Sequence, residues 1–408
     1  MRAVSTPCGE YAPGTVPSRR LVHVTTVPET LSFLAGQPRF LSRRGWEVFA
    51  VSSPGEGLGR FAAAEGIASR AVAIERRIAP LRDIVSLLRL GTTLRRLRPD
   101  VVDAHTPKGG LLGILAAWMT GVPIRIYHLH GLVYVTSRGL RRRLLLSVEK
   151  LTAALSTRVL CVSRSLAEVA MRDGIAPPAK LGVVLSGSIN GVDTARFAPP
   201  TQAERQAARR ALGLPADARV IGFVGRVTRE KGIVELEAAW RTLRRDLPDV
   251  RLVLVGPLER QDPVPPAVAA SLRNDPRVLM VGFEWDTPRY FRAMDVLALP
   301  SYREGFGVVS IEAAAMGLPV VASRIPGCLD AVLDGVTGTL VRPGDDRALC
   351  SALLAYLADP ELRARHGEAG RARVLREFQQ ERLWRALEAE YLRDASVGKR
   401  GESRGRTR

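Results

Sequence analysis

The fold is decided by residues 220–245, which read VIGFVGRVTREKGIVELEAAWRTLRR. Residues 220–224 are almost continuously apolar and predict a strand that is covered on both faces. A loop with two glycines, residues 225–232, follows directly, and apolar residues then recur at three- and four-residue spacing, as on one face of a helix. A buried strand, a short loop and a helix form the repeating unit of a parallel α/β sheet.

The same pattern recurs along the chain in two series. Candidate strands of the first series are residues 21–27, 47–51, 101–104, 124–128, 159–162 and 183–185, and those of the second are 220–224, 251–255, 278–281, 296–299, 319–322 and 339–341. Turn-forming residues interrupt the pattern at Asn190-Gly191-Val192-Asp193 and at Pro199-Pro200. We therefore predict an α/β protein with two Rossmann-like, doubly wound domains that face each other across a cleft.

The predicted organisation has five parts. They are a disordered leader at 1–20, a first domain at 21–197, a second domain at 198–375, a helix at 376–394 that packs back on the first domain, and a basic disordered tail at 395–408. Residues 360–393 are expected to form one long helix.

The composition excludes several classes of protein. With 408 residues, 46% of them hydrophobic and 25% charged, the chain is typical of a folded protein and unlike a disordered, collagen-like or coiled-coil chain. The four cysteines have no CxxC spacing, which argues against a disulfide framework or a zinc site and fits a reducing cytosol. The longest apolar run, residues 111–119, is shorter than the roughly 18 residues that cross a bilayer.

The net charge of +19 is concentrated in the first half of the chain, where residues 1–198 carry 27 Lys and Arg against 13 Asp and Glu. Residues 138–151 place Arg141, Arg142 and Arg143 beside leucines, which is typical of a helix on an anionic membrane surface. A core-facing helix with a basic edge fits this segment equally well. Nucleic-acid binding is not expected, because the sequence has no helix-turn-helix or zinc-finger spacing.

The sharpest polar cluster follows the predicted strand at 296–299. Glu304 and Glu312 are eight positions apart, and the turn Gly305-Phe306-Gly307 follows the first of them. The helix predicted to begin at Val308 would direct its first amides at a group beside Glu304. Such a glycine-flanked helix start binds anions, diphosphate among them. For a pair of glutamates alone, an ordinary surface loop is the alternative.

Three further loops after strands carry candidate residues. Arg226 and Lys231 flank the loop at 225–232, where two fixed cations could neutralise the phosphates of a nucleotide. Gly36 follows the first strand, where a loop would approach a phosphate. His105, His128 and His130 follow two neighbouring strands, and their spacing matches no familiar zinc ligand set. Of these, His130 is the better candidate for the cleft.

On these motifs the chain resembles the family-4 glycosyltransferases, which are retaining enzymes of the GT-B fold. The resemblance spans about residues 21–391 and rests most specifically on the segment from Glu304 to Glu312, supported by Gly225-Arg226 with Lys231 and by the linker at 190–193. The segments 105–110 and 130–134 are similar to a bacterial subgroup that builds capsules, exopolysaccharides and glycoprotein oligosaccharides on polyprenyl diphosphate.

The resemblance implies a role for each candidate residue. The diphosphate of a nucleotide sugar would be held by Arg226, Lys231 and the amides of Phe306, Gly307 and Val308. Glu304 would hydrogen-bond the donor sugar, and Glu312 would hold the ribose hydroxyls. His130 would lie at the reacting face of the sugar. The family's glycine-rich first loop is reduced to Gly36 here, so this phosphate contact is the weakest part of the pattern.

We therefore predict sugar transfer with retention, from a nucleotide-diphosphate sugar taken to be UDP-linked, to a polyprenyl-diphosphate-linked or other polysaccharide acceptor. The enzyme is expected on the cytoplasmic face of the membrane as a peripheral protein. No cofactor and no essential metal ion are expected, because no Asp-x-Asp motif lies between a strand and a loop. The alternatives are transfer to a soluble acceptor, 2-epimerisation of a sugar nucleotide, and an inactive scaffold of the same fold.

Overall fold

The computed structural model describes residues 19–77, 79–259 and 261–393. Within them the chain forms two parallel β-sheets flanked by helices. The predicted tail at 395–408 lies outside the described residues, as does the predicted leader apart from Arg19 and Arg20, which belong to the first strand.

The first sheet has seven parallel strands in the order β3-β2-β1-β4-β5-β6-β7. Its strands are β1 Arg19–Val24, β2 Trp46–Ser52, β3 Ala68–Ala71, β4 Val101–His105, β5 Ile124–Leu129, β6 Arg158–Cys161 and β7 Leu181–Val183. Its helices are α1 Gln37–Arg43, α2 Glu56–Glu65, α3 Pro80–Leu97, α4 Pro107–Met119, α5 Gly139–Leu155 and α6 Arg164–Arg172, with short 3-10 helices at Pro28–Leu34, Val133–Thr136 and Pro178–Lys180.

The second sheet has six parallel strands in the order β10-β9-β8-β11-β12-β13. Its strands are β8 Arg219–Val224, β9 Val250–Val255, β10 Val278–Gly282, β11 Val296–Leu299, β12 Val320–Ser323 and β13 Gly338–Val341. The remaining helices are α7 Gln202–Ala211, α8 Ile233–Asp246, α9 Pro266–Asn274, α10 Pro288–Phe291, α11 Val308–Ala315, α12 Cys328–Ala331, α13 Asp346–Ala358, α14 Pro360–Glu377 and α15 Gln380–Arg393. The predicted α/β class with two Rossmann-like sheets is confirmed.

The last helix, α15, covers one face of the first sheet. Its Leu383, Leu387 and Tyr391 are buried in one apolar cluster with Leu21 of β1 and Val101 of β4. Polar side chains add directed contacts to this packing: Trp46 Nε1 donates to Glu388 over 3.0 Å, and Trp384 Nε1 donates to Asn190 over 2.6 Å. Helix α15 is therefore built into the core of the first domain.

Residues 360–393 form two helices instead of the single helix predicted. The break falls at Phe378 and Gln379, between α14 and α15. There the amide of Val192, in the linker, donates to the carbonyl oxygen of Phe378 over 2.8 Å, and Val192 forms a β-bridge with Gln379. Two backbone residues paired with another segment cannot continue the helical hydrogen-bond ladder.

Strands β3 and β7 also differ from the prediction, and β1 ends at Val24 instead of at residue 27. Strand β3 was not foreseen because it is a short edge strand of small and polar residues, largely exposed, which lacks the apolar signal of the other strands. Strand β7 ends at Val183, whereas the sequence predicted residues 183–185. Leu185 has φ of 53°, outside the extended region, so it cannot belong to a strand.

Glu149 supplies a test of how α5 packs on the sheet. This glutamate lies on the buried face of α5 and accepts a hydrogen bond of 2.7 Å from the Tyr127 hydroxyl of β5. Burial raises the pKa of Glu149 from 4.5 to about 7, so the folded state binds the proton more tightly than the unfolded state does. Its contribution to stability is therefore complete below about pH 4.5 and is lost as the pH rises through about 7.

We expect Glu149→Gln, which cannot ionise, to become more stable relative to the natural protein as the pH rises from 5 to 8. The expected gain is about 1–3 kcal/mol in free energy of unfolding, since one unit of pKa corresponds to about 1.4 kcal/mol. Urea unfolding of both proteins at the two pH values measures it. A difference between the proteins that does not change with pH would contradict the assignment.

Candidate active site

The predicted site residues lie at the carboxyl ends of central strands in both sheets. The loop at 225–232 follows β8 and the loop at 300–307 follows β11, and these neighbouring strands flank the point where the order of the second sheet reverses. His130 follows β5 of the first sheet, and its carbonyl oxygen contacts Gly305 of the second domain. Ligands of doubly wound sheets bind at such reversal points.

Lys231 and Glu304 form an ion pair between the two loops of the second domain. Lys231 Nζ donates to Glu304 Oε1 over 2.5 Å, and Ser301 Oγ donates to the same oxygen over 2.7 Å. The two charged side chains are only 20% and 11% exposed. A cation and an oriented carboxylate thus lie just before α11, where the motif spacing predicted them.

Glycines form the start of α11. Gly307, the residue before this helix, has φ of 75°, which favours glycine. Any side chain on Gly305 would overlap the His130 carbonyl oxygen, so only glycine lets the backbones of the two domains approach this closely. The first amides of α11 therefore lie beside Glu304, at a point where the two domains touch.

Glu230 fixes the two loops of the second domain to each other and to the first domain. Arg303 donates two hydrogen bonds to its carboxylate, over 2.7 and 2.8 Å, and Thr136 of the first domain donates to it over 3.3 Å. Burial acts to raise the pKa of Glu230, but the hydrogen bonds and positive charge of Arg303 outweigh burial and lower it. Glu230 therefore remains an anion that holds both loops in place.

A cavity of about 560 Å³ lies between the domains beside α11. Its walls include Gly36 and Asn190 on one side and Trp285, Val308 and Glu312 on the other. Desolvation of Glu312 raises its pKa to about 7. In its ionised form this carboxylate accepts hydrogen bonds only, so it suits a ligand that presents hydroxyl groups.

Two predicted phosphate ligands are engaged with protein groups in the structure. The amide of Gly36 donates to Glu65 Oε1 over 2.9 Å, so a phosphate bound by this amide would have to replace that bond. The guanidinium of Arg226 is half-exposed and lies 3.5 Å from Glu259, rather than against Glu304. The phosphate-binding roles of Gly36 and Arg226 stay predictions.

His130 belongs to a group of buried histidines in the first domain. Its Nε2 lies 2.9 Å from His105 Nδ1, and burial lowers the pKa of His130 well below its ordinary value. The ligand atoms of His23, Asp103 and His105 lie within 4.8 Å of one another, a spacing that a metal ion could bridge. Neither His23 nor Asp103 was singled out from the sequence, although a charged residue inside an apolar strand was a signal for Asp103.

Sequence reasoning also missed a polar contact between the domains. The carboxylate of Asp330, in the second domain, accepts hydrogen bonds from the amides of Arg164 and Ser165 over 3.0 and 3.1 Å. These amides belong to the first turn of α6, so a residue of one domain caps a helix of the other. The partners are 165 positions apart in the chain, and no pattern in a single sequence connects them.

Comparisons with known proteins agree with this arrangement. Residues 204–373 match the family model for glycosyl transferases group 1, and residues 34–187 match that for the glycosyl transferase 4-like domain. The capsular polysaccharide biosynthesis glycosyltransferase CapM of Staphylococcus aureus is 31% identical over 374 residues, which cover 92% of this chain and 97% of that protein. The chain belongs to the group 1 glycosyltransferases.

Other proteins resemble this glycosyltransferase less closely. A UDP-Gal:alpha-D-GlcNAc-diphosphoundecaprenol alpha-1,3-galactosyltransferase of Escherichia coli is 29% identical over 290 residues, or 70% of this chain and 74% of that enzyme. The crystal structure of Anabaena HepE in complex with UDP and glucose superimposes with a TM-score of 0.77 at 21% identity, over 92% of this chain and 99% of that one. The latter likeness confirms the GT-B fold.

Gly305 tests whether the glycosyltransferase works in the closed arrangement of its domains. We expect Gly305→Ala to lower sugar transfer by at least about 100-fold, because the new methyl group overlaps the His130 carbonyl oxygen and separates the domains. Small-angle scattering should show an increased radius of gyration. The matched control is Gly59→Ala in α2, where an added methyl group meets nothing within 4 Å. Normal activity of Gly305→Ala would exclude this contact from the active conformation.

Proposed function

We propose that this glycosyltransferase moves a sugar from a UDP-sugar to an acceptor carried on polyprenyl diphosphate, at the cytoplasmic face of the membrane. The sugar keeps its anomeric configuration, and no metal ion is essential. The observation that carries the proposal is the buried pair of Lys231 and Glu304 at the start of α11, in the cleft between the two domains.

The donor diphosphate fits the positive groups beside this pair. The amides of Phe306, Gly307 and Val308 and the charge of Lys231 would bind its oxygens, and Arg226 could reach it by leaving Glu259. Two similar proteins support a UDP-sugar as donor: the structure of HepE is a complex with UDP-glucose, and the Escherichia coli relative is a UDP-Gal-dependent galactosyltransferase. Glu312, in the adjoining cavity, would accept hydrogen bonds from the ribose hydroxyls.

The transfer step needs charge stabilisation more than covalent chemistry. The bond from the anomeric carbon to the diphosphate oxygen breaks, and the acceptor oxygen bonds to this carbon on the same face. The acceptor proton passes to the departing diphosphate. Lys231 and the amides of α11 offset the charge that develops on the diphosphate, a role that a metal ion fills in other phosphate sites. Glu304, held by Ser301, would hydrogen-bond the hydroxyls of the donor sugar.

The acceptor is inferred from the reactions of two related enzymes. CapM is described as a capsular polysaccharide biosynthesis enzyme, and the Escherichia coli relative as acting on a sugar carried by diphosphoundecaprenol. Both descriptions favour a growing saccharide on a lipid carrier. On this proposal the acceptor sugar lies in the cleft and its carrier lies in the membrane.

The first domain has a surface suited to that membrane. Helix α3 leaves four apolar side chains exposed at helical spacing, namely Leu81, Ile84, Val85 and Leu88, which are 81%, 55%, 47% and 60% exposed. Helix α4 lies between α3 and α5 and contacts both, and α5 exposes Leu140 and Leu144 beside its three arginines. Among the described residues, no helix is long and apolar enough to span a membrane. Exposed leucines with neighbouring arginines are typical of binding to the membrane surface.

A soluble, phosphorylated acceptor is the second candidate. A D-inositol 3-phosphate glycosyltransferase of Kribbella flavida is 36% identical over 291 residues, or 66% of this chain. The same donor site would serve this reaction. The two candidates differ in whether activity depends on lipid.

Lys231 tests the donor site. We expect UDP to raise the melting temperature of the natural protein more than GDP or ADP does, and Lys231→Ala to weaken UDP binding by at least about 10-fold, since a charge-assisted hydrogen bond is lost. The matched control is Lys150→Ala on the exposed side of α5, which should bind UDP normally.

Turnover with a polyprenyl-diphosphate-linked sugar should continue in EDTA. A stronger effect of GDP, or loss of turnover in EDTA, would overturn these assignments.

A second experiment tests the membrane surface. Changing Arg141, Arg142 and Arg143 to Glu should lower the affinity for phosphatidylglycerol vesicles by roughly 100-fold, since each basic residue contributes about 1 kcal/mol. Sedimentation of the protein with the vesicles measures this affinity. Replacing Leu81, Ile84 and Leu88 by Ser should weaken binding to a similar extent through lost apolar burial.

Val336→Ser with Leu354→Ser is the control, because these exposed apolar residues lie in the second domain. Binding that survives both sets of changes would favour the soluble acceptor.

A further inference from the structure

Four of the five histidines of the chain meet in one buried group. They are His23 of β1, His105 of β4, His128 of β5 and His130, which directly follows Leu129 at the end of β5. The ring of His105 lies 5.4 Å from that of His23 and 5.2 Å from those of His128 and His130, measured between centroids. The first three residues are almost fully buried, and only His130 is partly exposed. The group thus leads from the core to the residue whose backbone carbonyl contacts Gly305 of the second domain.

Three of these histidines form a chain of hydrogen bonds. His130 Nε2 lies 2.9 Å from His105 Nδ1, and His105 Nε2 lies 3.1 Å from His23 Nδ1. Burial lowers the pKa of His23 to about 4 and that of His105 to about 3, so near neutral pH each ring carries a single proton. Each of the two hydrogen bonds therefore has one donor nitrogen and one bare nitrogen, and the three tautomers are linked.

The direction in which protons are donated along these hydrogen bonds is determined by the end at His23, where one nitrogen has no partner. His23 Nε2 is buried and has no hydrogen-bond partner among the described residues. A buried N–H without a partner is rarer and more costly than a bare acceptor nitrogen. The proton of His23 is therefore on Nδ1, from which it is donated to His105 Nε2. His105 must then carry its proton on Nδ1 and donate it to His130 Nε2, which leaves the proton of His130 on Nδ1.

The nearby carboxylate does not reverse this order. Asp103 Oδ2 accepts a hydrogen bond of 2.6 Å from the Tyr391 hydroxyl and lies 3.9 Å from His23 Nδ1. Asp103 Oδ1 has no hydrogen-bond partner among the described residues, but it lies 3.7 Å from His105 Nε2, which is beyond hydrogen-bonding distance. The proton between His23 and His105 is thus almost equally far from Asp103 on either nitrogen. The attraction of the carboxylate for that proton is therefore similar in the two arrangements.

The same unpartnered nitrogen argues against a metal ion among His23, Asp103 and His105. A histidine that binds a metal through Nδ1 carries its proton on Nε2 and almost always donates it to a partner. His23 Nε2 has no such partner. A metal at this point would therefore leave a buried N–H unsatisfied, whereas the hydrogen-bonded chain does not.

We propose that His23 and His105 are positioning residues that hold His130 in its Nδ1–H tautomer, so that His130 donates a hydrogen bond to the substrate and does not act as a base. The ligand is an acceptor oxygen of the bound donor, a sugar hydroxyl or a phosphate oxygen. The assignment of the cleft as the donor site rests on the proposed function, whereas the tautomer of His130 is a property of the protein alone.

Nuclear magnetic resonance of the full chain with nitrogen-15-labelled histidine tests the proposal without substrate. Two-bond couplings from the ring protons identify the protonated nitrogen of each histidine, and only five residues need to be assigned. We expect Nδ1–H in His23, His105 and His130. His366, whose Nδ1 lies 2.8 Å from the Tyr356 hydroxyl in the second domain, is the internal reference.

Two substitutions at His23 form a matched pair. His23→Leu removes the donor to His105, which allows His105 to move its proton to Nε2 and His130 to change to the Nε2–H tautomer. His23→Asn keeps an N–H near the position of Nδ1 and should preserve the natural tautomer of His130. We expect kcat for sugar transfer to fall about 10- to 100-fold in His23→Leu with little change in KM, and to be largely restored in His23→Asn.

The outcomes separate this proposal from the proposed function. We call the hydrogen-bonded series from His23 through His105 to His130 the relay. Three results would each overturn it: an Nε2–H signal for His130 in the natural protein, an unchanged tautomer in His23→Leu, or one equivalent of bound metal by elemental analysis. An unchanged His366 signal shows that the second domain of a variant is folded, and a melting transition like that of His23→Asn shows the same for the first. If the tautomers are as expected but no UDP-sugar is bound, the proposed donor fails and the relay stands.

Discussion

The contact between Gly305 and the carbonyl oxygen of His130 is the constraint on which the arrangement of the site depends. Two sheets of similar architecture could meet at many angles, and the close approach of backbone to backbone at this point limits that choice. The capping of α6 by Asp330 and the hydrogen bond from Ser163 to the Gly305 carbonyl oxygen, 2.8 Å long, act on the same side of the cleft. The loops at 225–232 and 300–307 of the second domain are thereby held against the first domain rather than beside open solvent.

Within the cleft, charged residues form ion pairs that hold the two loops of the second domain in a fixed position relative to each other. Glu230 with Arg303 is a structural pair, because both hydrogen bonds of the guanidinium are used within the protein. Lys231 with Glu304 is different in kind, since each of these side chains has further hydrogen-bonding capacity for a ligand. The loops therefore carry one pair that holds their shape and one pair that can exchange partners when an anion binds.

Much of the fold was predictable because parallel strands covered on both faces leave a strong apolar signal, and the glycine turn before α11 was predictable because only glycine allows it. Glu304, Lys231 and Glu312 followed from their positions after such strands. Asp330, Ser165 and the pairing of Val192 with Phe378 could not be predicted, because each joins segments far apart in the chain. The histidine group was half visible: His105, His128 and His130 stood out as loop residues, whereas His23 was read as part of a strand. Its importance arises only from the register that places β1 beside β4.

Within residues 19–393 the chain passes between the two domains near Val192 and again near Phe378, and these crossings lie side by side and are hydrogen-bonded to each other. The two adjacent crossings together define a hinge axis between the domains. Rotation about that axis stays possible, whereas twisting or sliding of one half across the other would break the pairing of the crossings. A protein built in this way can open about that axis and return to the same alignment.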